Sequence, residues 1–172
     1  MLNVAILGFG VVGSGVAEIL SENSSLIEGR ASGLISLKYV LTRKSNVHPT
    51  CINDFSIIEN DPDLHIVVEC IGGTGVALDY TTRALKAGKS VVSSNKELVA
   101  THGYELLQLA KKHGGNYLFE ASVGGGIPIL RPLTSCLAAN AISEITGILN
   151  GTTNYILTSM IRSGIPFEKA LA

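Results

Sequence analysis

Residues 3–20 read NVAILGFGVVGSGVAEIL, and this opening stretch decides the fold. An apolar run of strand type, Asn3 to Leu7, ends at the first glycine of a G-x-G-x-x-G spacing. The three glycines come directly before a helical pattern, which is the context that a dinucleotide-binding motif requires. Gly8 would permit a tight turn, Gly10 would let backbone amides approach a pyrophosphate, and Gly13 would let the helix lie against the strand. The alternative is a glycine-rich helix start that binds no ligand.

Strands and helices alternate along the rest of the chain. Further strands are predicted at Ile35–Leu41, Ile66–Ile71, Ser90–Ser93, Tyr117–Phe119 and Ile142–Leu149. Helices are predicted at Val76–Ala87, Tyr104–Lys112 and Ile129–Leu137, then between Thr152 as N-cap and Gly164 as the stop, and again from Pro166. The stretch from Ser21 to Gly33 is predicted as a loose connection or a frayed helix end. This alternation predicts an α/β fold with a doubly wound, Rossmann-type parallel sheet.

Composition limits the possible partners and the cellular compartment. The 172 residues are 46% hydrophobic and 16% charged, with a net charge of −1. A surface so poor in charge favours contact with another subunit, so we expect a homo-oligomer. The absence of a basic run argues against a nucleic-acid or membrane-surface partner, and no apolar run reaches the ~20 residues of a membrane span. Cys51, Cys70 and Cys136 form no metal-binding or disulfide pattern, so we expect a reducing, cytoplasmic compartment without export.

The residues after the second strand bear on the choice of cofactor. Arg43 and Lys44 follow Thr42 there, and no acidic residue lies between Ser36 and Asn53. In this fold an acid at that place binds the ribose of NAD, whereas an arginine accommodates the 2′-phosphate of NADP. The sequence therefore favours NADP over NAD, although NAD remains possible and a solvated basic turn is the alternative. Glu28 has the nominal spacing of a ribose ligand but precedes the second strand, so we discount it.

Two further loops should border the nicotinamide half of the cofactor. Gly72 and Gly73 end the strand that contains Glu69 and Cys70, two residues that we expect to be structural. Ser94, Asn95 and Lys96 leave the carboxyl end of the next strand. Ligands in open parallel sheets bind beyond these carboxyl ends, so both loops are predicted to face the cofactor.

A glycine-rich loop follows the strand at Tyr117. It reads EASVGGGIPIL over residues 120–130. Three consecutive glycines permit backbone conformations that other residues avoid, so carbonyl oxygens could turn toward a cation or another ligand. The alternative is a loop that is only flexible.

Five segments together make the sequence resemble the homoserine dehydrogenase family. They are GFGVVGSG, VVECIGG, GKSVVSSNKELVA, FEASVGGGIPIL and GILNGTTNYILTSM, in this order. The resemblance implies NAD(P)H-dependent interconversion of L-aspartate 4-semialdehyde and L-homoserine, in threonine, methionine and isoleucine biosynthesis. It also implies a dimer, an NAD(P)-binding domain at residues 1–128, and at residues 129–172 the first strand and helix of an α+β catalytic and dimerisation domain.

The resemblance also assigns individual residues. The family's cofactor contacts map onto Phe9, Val11, Val12, Arg43 and Lys96. Its monovalent cation site, usually sodium held largely by main-chain oxygens, maps onto Glu120, Val123, Gly125 and Ile127. Lys96 would hydrogen-bond the substrate oxygen and stabilise charge as hydride moves, which makes it the candidate catalytic residue. The alternative is that Lys96 only contacts the cofactor.

One departure from the family limits what we expect of this chain. Members place an acidic residue for the substrate ammonium, an aspartate and a proton-donating lysine in a later motif that this sequence lacks. We therefore expect the isolated chain to bind the cofactor without turnover, and a non-catalytic NADP(H)-binding module is the alternative function. An aspartate-semialdehyde dehydrogenase is disfavoured, because it needs a cysteine nucleophile with a base nearby.

Overall fold

The computed structural model describes residues 1–31, 33–44, 46–148 and 150–171, and the chain divides into two compact units, Met1–Arg131 and Pro132–Ala172. The strands of the first unit are β1 (Leu2–Leu7), β2 (Ile35–Leu41), β3 (Cys51–Ile52), β4 (Leu64–Glu69), β5 (Ser90–Ser93) and β6 (Tyr117–Leu118). Its α-helices are α1 (Val11–Glu22), α2 (Ser24–Ala31), α3 (Ser56–Glu59), α4 (Gly75–Lys86) and α5 (Lys96–His113).

The six strands form one parallel sheet in the order β3-β2-β1-β4-β5-β6. The chain first builds outward from β1 to β3, and then returns to build outward on the other side from β4 to β6. This order confirms the predicted doubly wound fold, in which ligands bind where the direction of building reverses. That place is the gap beyond the carboxyl ends of β1 and β4.

The central strands are buried on both faces, as parallel strands require. Ile6 and Leu7 of β1, Val67 of β4 and Val91 of β5 are all 0% exposed. Leu85 of α4 is also fully buried in this core. The apolar runs that the sequence predicts as strands therefore form the buried centre of the sheet. The loops of the site extend from the carboxyl ends of these strands.

Several local predictions needed correction. The helix predicted from Tyr104 begins at Lys96, because the Asn95 side chain accepts a hydrogen bond from the Leu98 amide at 3.1 Å and caps the helix there. The predicted loose connection contains α2, and β3 and α3 were not predicted because they are too short to show periodicity. The strand predicted at Ile66–Ile71 runs instead over Leu64–Glu69.

The second unit contains a π-helical turn at Pro132–Cys136, where a helix over Ile129–Leu137 was predicted, followed by α6 (Gly151–Ser163) and α7 (Phe167–Leu171). The strand predicted at Ile142–Leu149 is wrong over residues 142–148, and Leu149 lies outside the described residues. A strand needs a neighbour for its backbone groups, and no strand in the described part of the chain pairs with this segment.

The ends of α6 illustrate both a wrong and a correct prediction. Asn150, and not Thr152, is the N-cap, because its side chain accepts a hydrogen bond from the Thr153 amide at 2.8 Å. Gly164 ends the helix as predicted, with a φ of 64°. Among the described residues, no helix is long and apolar enough to cross a membrane.

Candidate cofactor-binding site

A cleft of about 500 Å³ opens at the carboxyl ends of β1, β2 and β4. One side is formed by the loop after β1, with Gly8, Phe9 and Gly10. Arg43 and Lys44, from the loop after the neighbouring strand β2, also line the cleft. Apolar residues from the loop after β4 and from α4 complete the walls, namely Ile71, Val76 and Tyr80. The cleft therefore lies at the position that the sheet order predicts for a ligand.

The three glycines of the motif differ in what a side chain at each position would contact. Gly8 has a φ of +90°, and a Cβ atom there would lie 2.9 Å from the Cys70 carbonyl oxygen. At Gly13 a Cβ atom would lie 2.1 Å from the Gly8 carbonyl oxygen. Both positions exclude a side chain because of the protein's own backbone. At Gly10, by contrast, a Cβ atom would meet no protein atom within 4 Å, so the space beside it is open to a ligand.

The start of α1 has the properties of an anion site. Its N-cap is Gly10, which supplies no side chain to accept hydrogen bonds from the first amides of the helix, and its first turn contains no acidic residue. These amides and the positive end of the helix dipole therefore remain available to a phosphate. Val11 and Val12 follow directly and are 91% and 51% exposed. Such exposure of apolar side chains is consistent with a surface that a ligand covers.

Arg43 and Lys44 contribute two positive charges to the lining of the cleft. Both are exposed, and within the described residues neither forms an ion pair with a carboxylate. The first acid beyond them, Asp54, is engaged with Ser56, whose amide and hydroxyl donate to it at 2.8 and 2.7 Å. Those hydrogen bonds lower the pKa of Asp54. In the part of the chain that the structure describes, neither cation is neutralised by a carboxylate, so both charges are available to an anionic ligand.

A ring contact connects the loop after β1 with the loop after β2. The Phe9 ring lies 5.6 Å from that of His48, with the ring planes tilted by 58°. The loop after β2 thus packs against the glycine loop by an aromatic pair. This contact is long-range, and the sequence contains no signal for it.

The remaining predicted cofactor residues lie on the two loops next along the sheet edge. Gly72 and Gly73 have φ values of +82° and +68°, so the turn after β4 needs glycine at both places. Lys96 is exposed at the first turn of α5, two residues after Ser94. None of these four residues lines the 500 Å³ cleft itself. The structure therefore groups Gly8, Phe9, Gly10, Arg43 and Lys44 in one cleft. It puts Gly72 and Gly73 in the turn after β4, and Ser94 and Lys96 between the end of β5 and the first turn of α5.

Glu69 and Asn95 join those two loops. The buried Glu69 carboxylate accepts hydrogen bonds from the Ile71 amide at 2.8 Å and from the Ser93 hydroxyl at 2.7 Å. The Asn95 side chain donates to the Gly73 carbonyl oxygen at 2.6 Å. The sequence suggested only a structural role for Glu69. An acidic residue directly after the apolar run Ile66–Val68 was the one signal that pointed to it.

Cys70 lines the cleft but lacks the properties of a nucleophile. Burial raises the pKa of its thiol to about 11, and the Glu69 charge also raises it, against a lowering by the hydrogen bond with Ser94. A reactive cysteine needs the opposite shift. The structure thus adds a physical reason against the aspartate-semialdehyde dehydrogenase alternative.

The glycine-rich loop is closed by Glu120. Its carboxylate accepts hydrogen bonds from the backbone amides of Ile129, Leu130 and Arg131 at 2.6, 2.9 and 2.6 Å. These bonds lower the pKa of Glu120. Within the loop, the Ile127 amide donates to the Gly124 carbonyl oxygen at 2.7 Å. The described residues include no cluster of three or more His, Cys, Asp or Glu side chains suited to a metal, so a cation here would need main-chain oxygens.

Comparisons with known proteins agree in both halves of the chain. The family described as "Homoserine dehydrogenase, NAD binding domain" matches residues 8–120, and the family described as "Homoserine dehydrogenase" matches residues 128–172. The homoserine dehydrogenase of Bacillus subtilis is 39% identical over 180 residues, which cover 99% of this chain and 41% of the relative. The chain thus spans about two fifths of the length of the curated relatives that it matches.

Solved structures give the same result. The crystal structure of a homoserine dehydrogenase from Thiobacillus denitrificans superposes with a TM-score of 0.92 at 36% identity, over 99% of this chain and 41% of that one. A hyperthermophilic archaeal homoserine dehydrogenase in complex with NADPH superposes with a TM-score of 0.83 at 26% identity, over 99% of this chain and 59% of that one.

Proposed function

The chain belongs to the homoserine dehydrogenase family, and we propose that it forms the cofactor-binding part of an NADP-dependent enzyme that interconverts L-aspartate 4-semialdehyde and L-homoserine. The observation that carries this proposal is the cleft at the point between β1 and β4 where the strand order reverses. It has open space beside Gly10, and the first amides of α1 have no side-chain cap. In the proposed division, residues 1–128 bind the dinucleotide and residues 129–172 begin the catalytic and dimerisation domain.

The preference for NADP rests on charge. Arg43 and Lys44 stand at the lip of the cleft without carboxylate partners among the described residues, and the following acid, Asp54, is occupied by Ser56. A 2′-phosphate would accept charge-assisted hydrogen bonds from both cations, whereas the bare ribose of NAD would leave them without an anion. The NADPH complex of the archaeal relative supports this choice.

We place the chemistry at the loops beyond β4 and β5. Gly72, Gly73 and Ser94 would border the nicotinamide ring, and the cofactor would supply or accept the hydride. Lys96, exposed at the first turn of α5, would donate a hydrogen bond to the substrate oxygen and stabilise the negative charge that develops there. Binding and orientation of the amino-acid substrate would need residues from the remainder of the parent enzyme.

A sodium ion is the proposed ligand of the glycine-rich loop, held by main-chain oxygens of Glu120, Val123, Gly125 and Ile127. Hard cations prefer oxygen ligands. The Glu120 carboxylate accepts hydrogen bonds from three backbone amides, so we assign the cation to main-chain oxygens of the loop rather than to this carboxylate. The melting temperature should be higher in sodium chloride than in choline chloride at equal ionic strength. Gly125→Pro should reduce that difference.

A non-catalytic NADP(H)-binding module is the second candidate function. It is favoured by one observation, namely that the cleft and its cations lie entirely within the first unit. Both candidates require the cofactor, so turnover separates them.

The experiment that tests the proposal is calorimetric titration of the purified chain with NADPH, followed by an assay of NADPH formation from homoserine. We expect binding by the isolated chain, and turnover only after addition of a separately expressed remainder of the enzyme. Failure to bind either cofactor would contradict the proposal, and binding without turnover in the presence of the remainder would favour the module. Light scattering on the same sample tests the proposed dimer.

A further inference from the structure

Glu69 is a wholly buried carboxylate at the end of β4, in the middle of the sheet edge that faces the cleft. Burial of a carboxylate is costly unless hydrogen-bond donors surround it. Its Oε1 accepts from the amides of Ile71 at 2.8 Å and Gly72 at 3.3 Å, and its Oε2 accepts from the Ser93 hydroxyl at 2.7 Å. The donors come from two different loops, so one side chain fixes both.

Ser93 connects Glu69 to the start of α5 by a second hydrogen bond. Its hydroxyl oxygen accepts a hydrogen bond from the Asn95 amide at 3.1 Å. The Asn95 side chain then donates to the Gly73 carbonyl oxygen at 2.6 Å and accepts from the Leu98 amide at 3.1 Å. A closed ring of hydrogen bonds therefore links the 71–73 turn to the helix start that contains Lys96.

A buried charge can also serve stability alone, and Lys89 is such a case in the same sheet. Its side chain is buried, and its Nζ donates to the carbonyl oxygens of Asp61 at 2.7 Å and Leu64 at 3.3 Å. Asp61 lies in the turn before β4 and Leu64 is the first residue of β4, so both acceptors lie at the amino end of the strand. Lys89 thus resembles Glu69 in burial and in holding a turn, but it lies at the edge of the sheet that faces away from the cleft.

We propose that Glu69 is a positioning residue for the nicotinamide half of the cofactor, because it sets the 71–73 turn and, through Ser93 and Asn95, the start of α5. The inference rests on the proposed function, since it needs a dinucleotide in the cleft. Glu69 touches no ligand itself. Its contribution is to hold in place, before the cofactor arrives, the two loops that border the nicotinamide ring.

Two probes separate this role from general stability. NADPH occupies both halves of the site, whereas adenosine 2′,5′-bisphosphate occupies only the adenosine half. In calorimetric titrations, Glu69→Ala should weaken NADPH binding by about tenfold or more while it changes binding of the bisphosphate by less than about twofold. Lys89→Met, the matched control, should change both affinities by less than about twofold, because its site is distant.

Conservative variants complete the test. Glu69→Gln should restore NADPH affinity to within about threefold of the wild type, since its amide oxygen can accept from Ile71 and Gly72 and its NH₂ group can donate to Ser93. If Glu69→Ala does not fold, Ser93→Ala should still weaken NADPH more than the bisphosphate.

Two results would overturn the inference while the proposed function stands: an equal loss of both ligands in Glu69→Ala, or unchanged NADPH affinity in that variant. In the case where Glu69→Ala cannot be folded, equal effects of Ser93→Ala on the two ligands would overturn it. A wild-type chain that binds neither ligand would refute the proposed function, and the positioning role would fall with it.

Discussion

A Cβ atom on Gly13 would lie 2.1 Å from the carbonyl oxygen of Gly8. The neighbour is backbone, and it belongs to the turn that itself needs Gly8 at a φ of +90°. Neither partner can move without displacing the end of β1 or the start of α1. The close approach of these two glycines therefore fixes where the helix dipole points relative to the sheet.

The first prediction compares two glycines of α1. Gly13→Ala should lower the free energy of unfolding by about 1–3 kcal/mol or more, because the added methyl group clashes with the Gly8 backbone. Gly15→Ala adds the same methyl group where no atom lies within 4 Å. It should raise stability by up to about 1 kcal/mol, since alanine favours a helix interior. Urea unfolding of both variants measures the difference, and equal stabilities would contradict the packing argument.

The second prediction separates folding from binding at Gly10. This residue has a φ of −92°, which alanine adopts without strain, and a Cβ atom would meet nothing within 4 Å. Gly10→Ala should therefore leave the melting temperature of the free chain unchanged. Its methyl group would occupy the space proposed for the pyrophosphate, so NADPH should bind at least about tenfold more weakly. Unaltered NADPH affinity would mean that the phosphates lie elsewhere.

The third prediction concerns the choice between NADPH and NADH. The wild-type chain should prefer NADPH by about tenfold to a hundredfold, the value of a charge-assisted hydrogen bond. Arg43→Ala should remove most of that preference by weakening NADPH and leaving NADH almost unchanged. Arg30→Ala, an exposed arginine in α2 that does not line the cleft, is the matched control for loss of a charge. A ratio that is the same in Arg43→Ala and in Arg30→Ala would refute the NADP assignment.

The parts of the fold that were predictable from the sequence are those with a local cause. The glycine spacing after β1 has one at two of its positions, because Gly8 has a φ of +90° and Gly13 lies against the Gly8 backbone. The bounds of β2 and β5 were predicted as the structure has them, since turn residues flank each apolar run. Gly164 likewise ends α6 through a local left-handed conformation.

The rest depended on contacts between residues far apart in the chain. Glu69 and Ser93 are 24 positions apart, and their hydrogen bond exists only because β4 and β5 are neighbours. The segment at 142–148 has the composition of a strand, but strand formation depends on a partner that composition does not report. Asn95 is a signal that the sequence does contain, because an asparagine before a helix is a common cap, but the helical apolar pattern is clear only from Tyr104 onward.

The fourth prediction concerns the reactivity of the Cys70 thiol at neutral pH. Burial raises the pKa of this thiol from 9.0 to about 11, whereas Cys136 is exposed. A shift of this size reduces the thiolate fraction by about a hundredfold at neutral pH, so iodoacetamide should modify Cys136 much faster than Cys70. Peptide mass spectrometry after timed labelling measures both rates. Bound NADPH should slow Cys70 further, because Cys70 lines the cleft.

The same raised pKa predicts how stability responds to pH. Between pH 9.0 and about 11 the folded chain keeps a proton on Cys70 that the unfolded chain releases, so the free energy of unfolding falls as the pH rises through this window. Burial also raises the pKa of Tyr117, from 10.0 to about 12, and extends the fall to higher pH. Cys70→Ala should flatten the first part of the curve and leave the second. Urea unfolding across this range tests the argument, and a curve that keeps its full slope in Cys70→Ala would show that the thiol is not the group that titrates.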